Sequence, residues 1–266
     1  MDCVLSFISG NKFAEKPEVS VYLETLKRVH GDKFVFTHDL NDVNRKRIES
    51  YGIKIIDVDN IEFIVRDRWR VYAEFLNSHP CERVLITDAK DVLFNSDPFE
   101  CADLSTLPPG LEEYLILVSE GFTHGQSLWN LLDQTALQEM VPDAKCEKWD
   151  VINGGVQLGT YNVMYGFCDA VYRALVTLRP NCSDQAYINY MYHTQWKLKN
   201  EFVMADPYYD WFCCIGEPVA RNIHGYPIDL TTWHNPKLAK PYSIVHQWER
   251  VVSIDHLRYH KVCEIA

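Results

Sequence analysis

Basic charge is what this sequence is shortest of. Lys and Arg number 26 against 37 Asp and Glu, a formal net charge of −11. A general nucleic-acid binder or a protein that coats anionic membranes needs a basic surface, so neither is expected here. A local basic pocket for phosphate remains compatible with that charge. Long apolar runs are missing too: no stretch is long and apolar enough to span a bilayer. The segment Met1 to Ser9 has no basic n-region and only a short apolar run, so it reads as a first strand and not as a signal peptide. The nine cysteines include no C-x-x-C pair. Neither a disulfide framework nor a zinc pattern follows, and reduced, mostly buried thiols in a cytoplasmic protein are expected. Repeats, low-complexity segments and clean linkers are absent. One domain spanning residues 1–266 is therefore favoured over two.

Apolar residues make up 47% of the chain, enough for a large α/β core. Val4 to Ile8, Phe34 to Thr37 and Ile53 to Val58 read as strands. Between them, Val19 to His30 shows helical spacing and Asn41 to Tyr51 is a polar, basic helix that Gly52 stops. This β-α-β-α-β alternation predicts a parallel sheet with helices on both faces. Further helices are expected over Ile64 to Leu76, Leu128 to Met140, Asn162 to Leu178 and Asp184 to Tyr192, the last capped by Ser183. Tyr114 to Ser119 reads as a strand. Val151 to Gly159 reads as a strand interrupted by Gly154-Gly155, a pair that marks a bulge or the close approach of a ligand. Beyond Lys197 the chain is aromatic and irregular.

The chemistry gathers at Arg83-Val84-Leu85-Ile86-Thr87-Asp88-Ala89-Lys90-Asp91. The apolar, β-branched run Val84 to Thr87 predicts a buried strand. Asp88 and Asp91 follow at its carboxyl end, the edge at which open α/β sheets bind ligands. Two carboxylates this close repel unless a cation or water separates them. They point to a divalent-metal site, or more simply to a solvated turn.

Three landmarks follow in one order: Asp88-Ala89-Lys90-Asp91, Asn153-Gly154-Gly155-Val156 and Asp184-Gln185. A fourth, Val245-His246-Gln247, lies late in the chain. Together they resemble a GT-A type glycosyltransferase, similar to the family 8 enzymes that include glycogenin and bacterial lipopolysaccharide galactosyltransferases. Those enzymes carry Asp-x-Asp, Asn-Ala-Gly, an Asp-Gln helix start and a late metal-binding His. This chain departs from them in spacing its acids by two residues and in reading Asn-Gly-Gly.

The resemblance implies an α/β fold with a mostly parallel central sheet and a smaller irregular C-terminal part. Residues 1–100 would form a nucleotide-binding half and 101–266 a half for donor sugar and acceptor. It implies Mn²⁺ or Mg²⁺ held by Asp88, Asp91 and His246, with His234 as rival ligand, and an imidazole in the shell tilts the choice toward Mn²⁺. Ser9, Gly10 and Asp39 become candidates for the base and ribose, though each serves equally as a turn residue. Arg66, Arg70, Lys240, Lys237 and Arg250 become candidates for phosphate, with a solvated face as the plainer role. Asn153, Gly154 and Gly155 would hold the donor sugar or acceptor, the glycines leaving room for a sugar. Asp184 and Gln185 would contact the donor sugar, whereas helix capping alone also explains Asp184. If configuration inverts, Asp184, Glu120 or Asp210 would take the acceptor proton. Tyr208, Tyr209, Trp211 and Trp248 could stack on sugar, but most aromatics at this density are core.

The implied activity is transfer of sugar from a nucleotide-diphosphate sugar to a hydroxyl of a glycan or glycoconjugate. UDP is the donor nucleotide by resemblance alone. Three other readings compete. An aspartyl-phosphate phosphatase needs Asp-x-Asp and a following Thr/Gly loop, which Asp91-Val92-Leu93 does not supply. A sugar-nucleotide pyrophosphorylase needs a Gly-rich basic loop after the first strand, which Ser9-Gly10-Asn11-Lys12 does not supply. A carbohydrate- or nucleotide-binding domain without catalysis would have no reason to keep the acids, Asn-Gly-Gly and His246 together.

Overall fold

The computed structural model describes residues 1–101, 111–138, 146–177, 183–199, 201–205, 211–216, 233–235 and 240–259. Strand β1 (Cys3–Ser9) lies at the centre of its first half, parallel to β2 (Asp32–His38) on one side and to β4 (Arg83–Asp88) on the other. β3 (Lys54–Asp57) extends the sheet beyond β2. Each crossover is helical: α1 (Gly10–Ala14) and α2 (Pro17–Leu26), then α3 (Asp42–Glu49), then α4 (Ile64–Ser78). The expected alternation is therefore observed. Where a turn was expected after β1, the chain enters α1 at once, through Gly10 at φ 67°. Asn41 caps α3, its side chain accepting from the Asn44 amide at 2.8 Å.

Period-two alternation along β1 divides its side chains between two cores. Val4 and Ile8 pack with Tyr22 and Leu23 of α2. Leu5 and Phe7 pack with Trp69 and Tyr72 of α4. The sheet thus has an apolar layer on each face, and its strands read as unbroken hydrophobic runs.

After β5 (Val92–Phe94) and the short α5 (Pro98–Cys101) come β6 (Leu115–Thr123), α6 (Leu128–Gln138), β7 (Asp150–Thr160), α7 (Tyr161–Thr177), α8 (Asp184–Thr194) and β8 (Phe202–Ala205). The central sheet has the order β3-β2-β1-β4-β7-β6-β8. Of these strands only β7 runs against its neighbours. Its glycine pair does not end it. Instead the ladder slips: Leu117 pairs with Gln157, but Ser119 pairs with Ile152. One residue of β6, Val118, thus faces four of β7, and the irregularity falls on Asn153 to Val156. The cap expected at Ser183 is present, its Oγ accepting from the Ala186 amide at 3.0 Å.

The C-terminal part is more regular than its sequence suggests. β9 (Phe212–Cys214), β10 (His234–Asn235), β11 (Lys240–Pro241) and β12 (Ile244–His246) precede α9 (Ile254–Tyr259). β12 lies between β5, antiparallel, and β9, parallel. Strands of three residues are too short to show a period, so the sequence gives no sign of them. Leu93, Cys213, Tyr242, Val245 and Trp248 form the core beneath this small sheet. No disulfide joins the described cysteines. No helix among the described residues is long and apolar enough to cross a membrane.

Candidate active site

β-pairing brings the tail of the chain to the acids. His246 is in register with Val92, the residue after Asp91. The next residue, Gln247, turns with φ 59° and donates its amide to the Asp91 carbonyl at 2.8 Å. His246 Nε2 consequently lies 3.3 Å from Asp91 Oδ1 and 3.8 Å from Asp88 Oδ2. One ligand atom from each of these three residues falls within 4.8 Å of the others.

The charges respond to one another. Burial and the neighbouring Asp91 push the Asp88 carboxyl above its ordinary range, against the pull of Arg68 and His246. Burial acts the same way on Asp91, but His246, with Lys90 and Arg250, outweighs it and holds that carboxyl low. The imidazole is raised by Asp91 and Asp88 although burial opposes protonation. Two carboxylates around one imidazole thus attract positive charge.

The donor set suits a divalent cation. His246 is only 2% exposed, and its Nε2 makes no well-aligned hydrogen bond among the described residues. Two oxygens and one nitrogen surround the same point, a mixed set that accepts Mn²⁺. Gly155 backs the cluster: a β-carbon there would lie 2.5 Å from Asp88 Oδ2 and 3.0 Å from His246 Cε1. At Gly154 it would lie 3.0 Å from Gln185 Cβ. The glycines make room for the site's own side chains, a nearer reason than room for sugar.

Arg68 ties the acids to the far wall. Its Nη1 donates to Asp88 Oδ1 at 2.6 Å and its Nη2 to the Gly154 carbonyl at 3.3 Å. Its Nε and Nη2 both donate to Asp184 Oδ2. Trp69 Nε1 donates to the same oxygen at 2.9 Å, and the Gln185 amide donates to Asp184 Oδ1 at 2.9 Å. Asp184 is thus buried and fully engaged.

A second network is centred on Glu120. Its Oε1 accepts from Asn153 Nδ2 at 2.9 Å and from Gln185 Nε2 at 3.3 Å. The carbonyl ends of those two amides accept from the Gly155 and Gly154 amides at 2.8 and 3.0 Å. Gln185 Nε2 also donates to Asn130 Oδ1 at 2.8 Å. One buried carboxylate thus sets two amides, which in turn set the glycine backbone. Asn153 is fully buried and acts through Gly155.

A cavity of about 310 Å³ opens over this assembly, lined by Arg68, Asp88, Asp91, Asp184, Gln185 and His246, together with Gly154, Gly155, Trp129 and Arg250. Arg66 and Arg70 do not reach it. Arg66 pairs with Asp67 and Glu62, and Arg70 with Glu74 and the carbonyls of Asp59 and Asn60. Ser9, Gly10 and Asp39 lie at the carboxyl ends of β1 and β2, outside the cavity, and Asp39 is exposed with φ 60°. His234 and Lys240 lie in β10 and β11, and their side chains are outside the described residues. So are Tyr208, Tyr209, Asp210 and Lys237. Trp211 and Trp248 are buried core. Sequence reasoning missed Arg68 and Trp129. For Arg68 a signal existed in its helical stripe with Ile64 and Tyr72.

No family model matches this chain, and no curated protein matches it significantly. Solved structures do. An active-site mutant of LgtC aligns with a TM-score of 0.56 at 14% identity, over 98% of this chain and 95% of that one. The galactosyltransferase LgtC in complex with donor and acceptor sugar analogues gives 0.55 at 12%, over 100% and 97%. The bifunctional glycosyltransferase WbbM gives 0.60 at 13%, over 97% of this chain and 49% of its own. At these identities the likeness concerns the fold, and the fold is the GT-A type of these glycosyltransferases.

Proposed function

We propose that this chain is a metal-dependent glycosyltransferase that moves a sugar from a nucleoside-diphosphate sugar, UDP being the default, to a hydroxyl of a glycan or glycoconjugate. The observation that carries it is the convergence of Asp88, Asp91 and His246 in one cavity on a GT-A fold. Asp88, Asp91 and His246 would hold Mn²⁺ or Mg²⁺. Such a cation supplies Lewis acidity to the departing diphosphate.

The chain's own residues do the rest. Arg68 is held in place by Asp184 and Asp88, so a fixed positive charge faces the cavity without reorganising. Asp184 serves by fixing that guanidinium and the start of α8. Gln185, with Gly154 and Gly155, forms the wall on which the donor sugar would rest. Arg250 stands 46% exposed at the rim, available to phosphate. Of the proposed proton acceptors, Asp184 and Glu120 are both buried and committed to hydrogen bonds.

Thermal unfolding with Mn²⁺ and a panel of nucleoside diphosphates tests the reading. Stabilisation should require metal and nucleotide together. Asp91→Asn should abolish that joint stabilisation while the unliganded melting temperature moves little. An unchanged Mn²⁺ requirement in the variant would move the metal elsewhere, and no joint stabilisation of the native chain with any nucleotide would refute the function.

A further inference from the structure

Trp129 is 54% exposed, although burying an indole is strongly favoured in water. It also lines the cavity that holds Asp88, Asp91 and His246. The next residue is anchored. Asn130 is 3% exposed and takes a hydrogen bond from Gln185 in the cavity wall. Its amide and side chain also donate to Ser127 Oγ, which holds the first turn of α6. The backbone that carries the indole is thus tied to the cavity wall, and the indole is left open to water.

Position argues for one occupant. The donor's diphosphate must sit against the acids and its sugar near Arg68 and Gln185, deep in the cavity. The nucleophilic hydroxyl must come last, from the open side where Trp129 stands. A sugar ring presents a flat C–H face to an aromatic plane and keeps its hydroxyls in water. A half-exposed tryptophan at the rim fits such a ring.

We infer that Trp129, carried on α6, is the stacking platform of an acceptor-sugar subsite. The inference rests on the transferase reading above. Leu128 and Leu132, 62% and 60% exposed, extend the apolar surface away from the cavity, and neither lines it. They serve as controls.

Binding to an immobilised glycan array, with UDP and Mn²⁺ present, is compared for the native chain, Trp129→Ala, Trp129→Tyr and Leu132→Ala. The native chain should bind at least one glycan. Trp129→Ala should lose that signal ten-fold or more, Trp129→Tyr should recover part of it, and Leu132→Ala should match the native chain. In turnover, the ratio of sugar passed to that glycan over sugar lost to water should fall at least ten-fold in Trp129→Ala. A native chain that binds no glycan, or Trp129→Ala that binds as well as native, overturns the inference. Equal losses in Trp129→Ala and Leu132→Ala, with sedimentation on phosphatidylcholine vesicles, would make the patch a membrane face and also overturn it. Failure of the transferase reading shows differently, as absence of joint stabilisation by Mn²⁺ and nucleotide, and takes this inference with it.

Discussion

A missing β-carbon decides how close two charged side chains come to the strand behind them. At Gly155 that carbon would collide with the Asp88 carboxylate and crowd the His246 ring. The clash falls on a side-chain tip, so the fold can yield, but Asp88 is held by Arg68 and can move only by loosening that pair. Gly155→Ala should therefore cost roughly 1–3 kcal/mol of stability, the usual range for overpacking. Its larger effect should be functional, a fall of ten-fold or more in the apparent affinity for Mn²⁺ with nucleotide. Paired urea unfolding and metal titration check this. A variant with native metal affinity would show that Asp88 is not where the cation binds.

Helix α4 shows how one element separates a working arginine from two decorative ones. Glu62 and Arg66, then Arg70 and Glu74, form i,i+4 ion pairs along its outer side. Arg68 lies on the opposite side with the buried Tyr72 and bridges Asp88 and Asp184. Arg70→Ala should cost roughly 0.5 kcal/mol or less, as exposed pairs do. Arg68→Ala leaves Asp184 buried with its counter-charge gone, and breaking a buried pair costs about 3–5 kcal/mol. Chemical denaturation of the two variants should show that contrast, and similar losses would mean the Asp184 pair is screened by solvent. The same helix shows what could be read in advance. The helix itself was legible from its spacing, but which of its arginines faces the site was not: Arg66 and Arg70 were the phosphate candidates, and they turn outward. The acids and His246 could be found because strands and apolar flanks surround them. Three-residue strands such as β5, β9 and β12 have no period to read. The reach of Arg68 to Asp184 and the exposure of Trp129 depend on contacts between residues distant in sequence.

For the whole molecule, the cluster joins two sheets that share an apolar layer, since Val92, Phe94, Phe212, Cys214 and Ile244 of the small sheet pack with Val4 and Ile8 of the central one. Asp88 ends β4 of the central sheet, whereas Asp91 and His246 flank and end strands of the small sheet. The small sheet has its own core around Leu93, Val245 and Trp248. Its strands are only three residues long and share few ladder hydrogen bonds, so this part should open locally before the central sheet does. A cation bound by all three residues links the two parts and favours only the closed arrangement. At a hundred times its dissociation constant a ligand adds about 2.7 kcal/mol, which for a chain of this size raises the melting temperature by roughly 5–10 °C. Hydrogen exchange locates where that stabilisation acts. Adding Mn²⁺ with UDP should slow exchange at Ile244–His246 and Val92–Phe94, because opening the small sheet would release the cation. No slowing at those strands would remove the metal from this site.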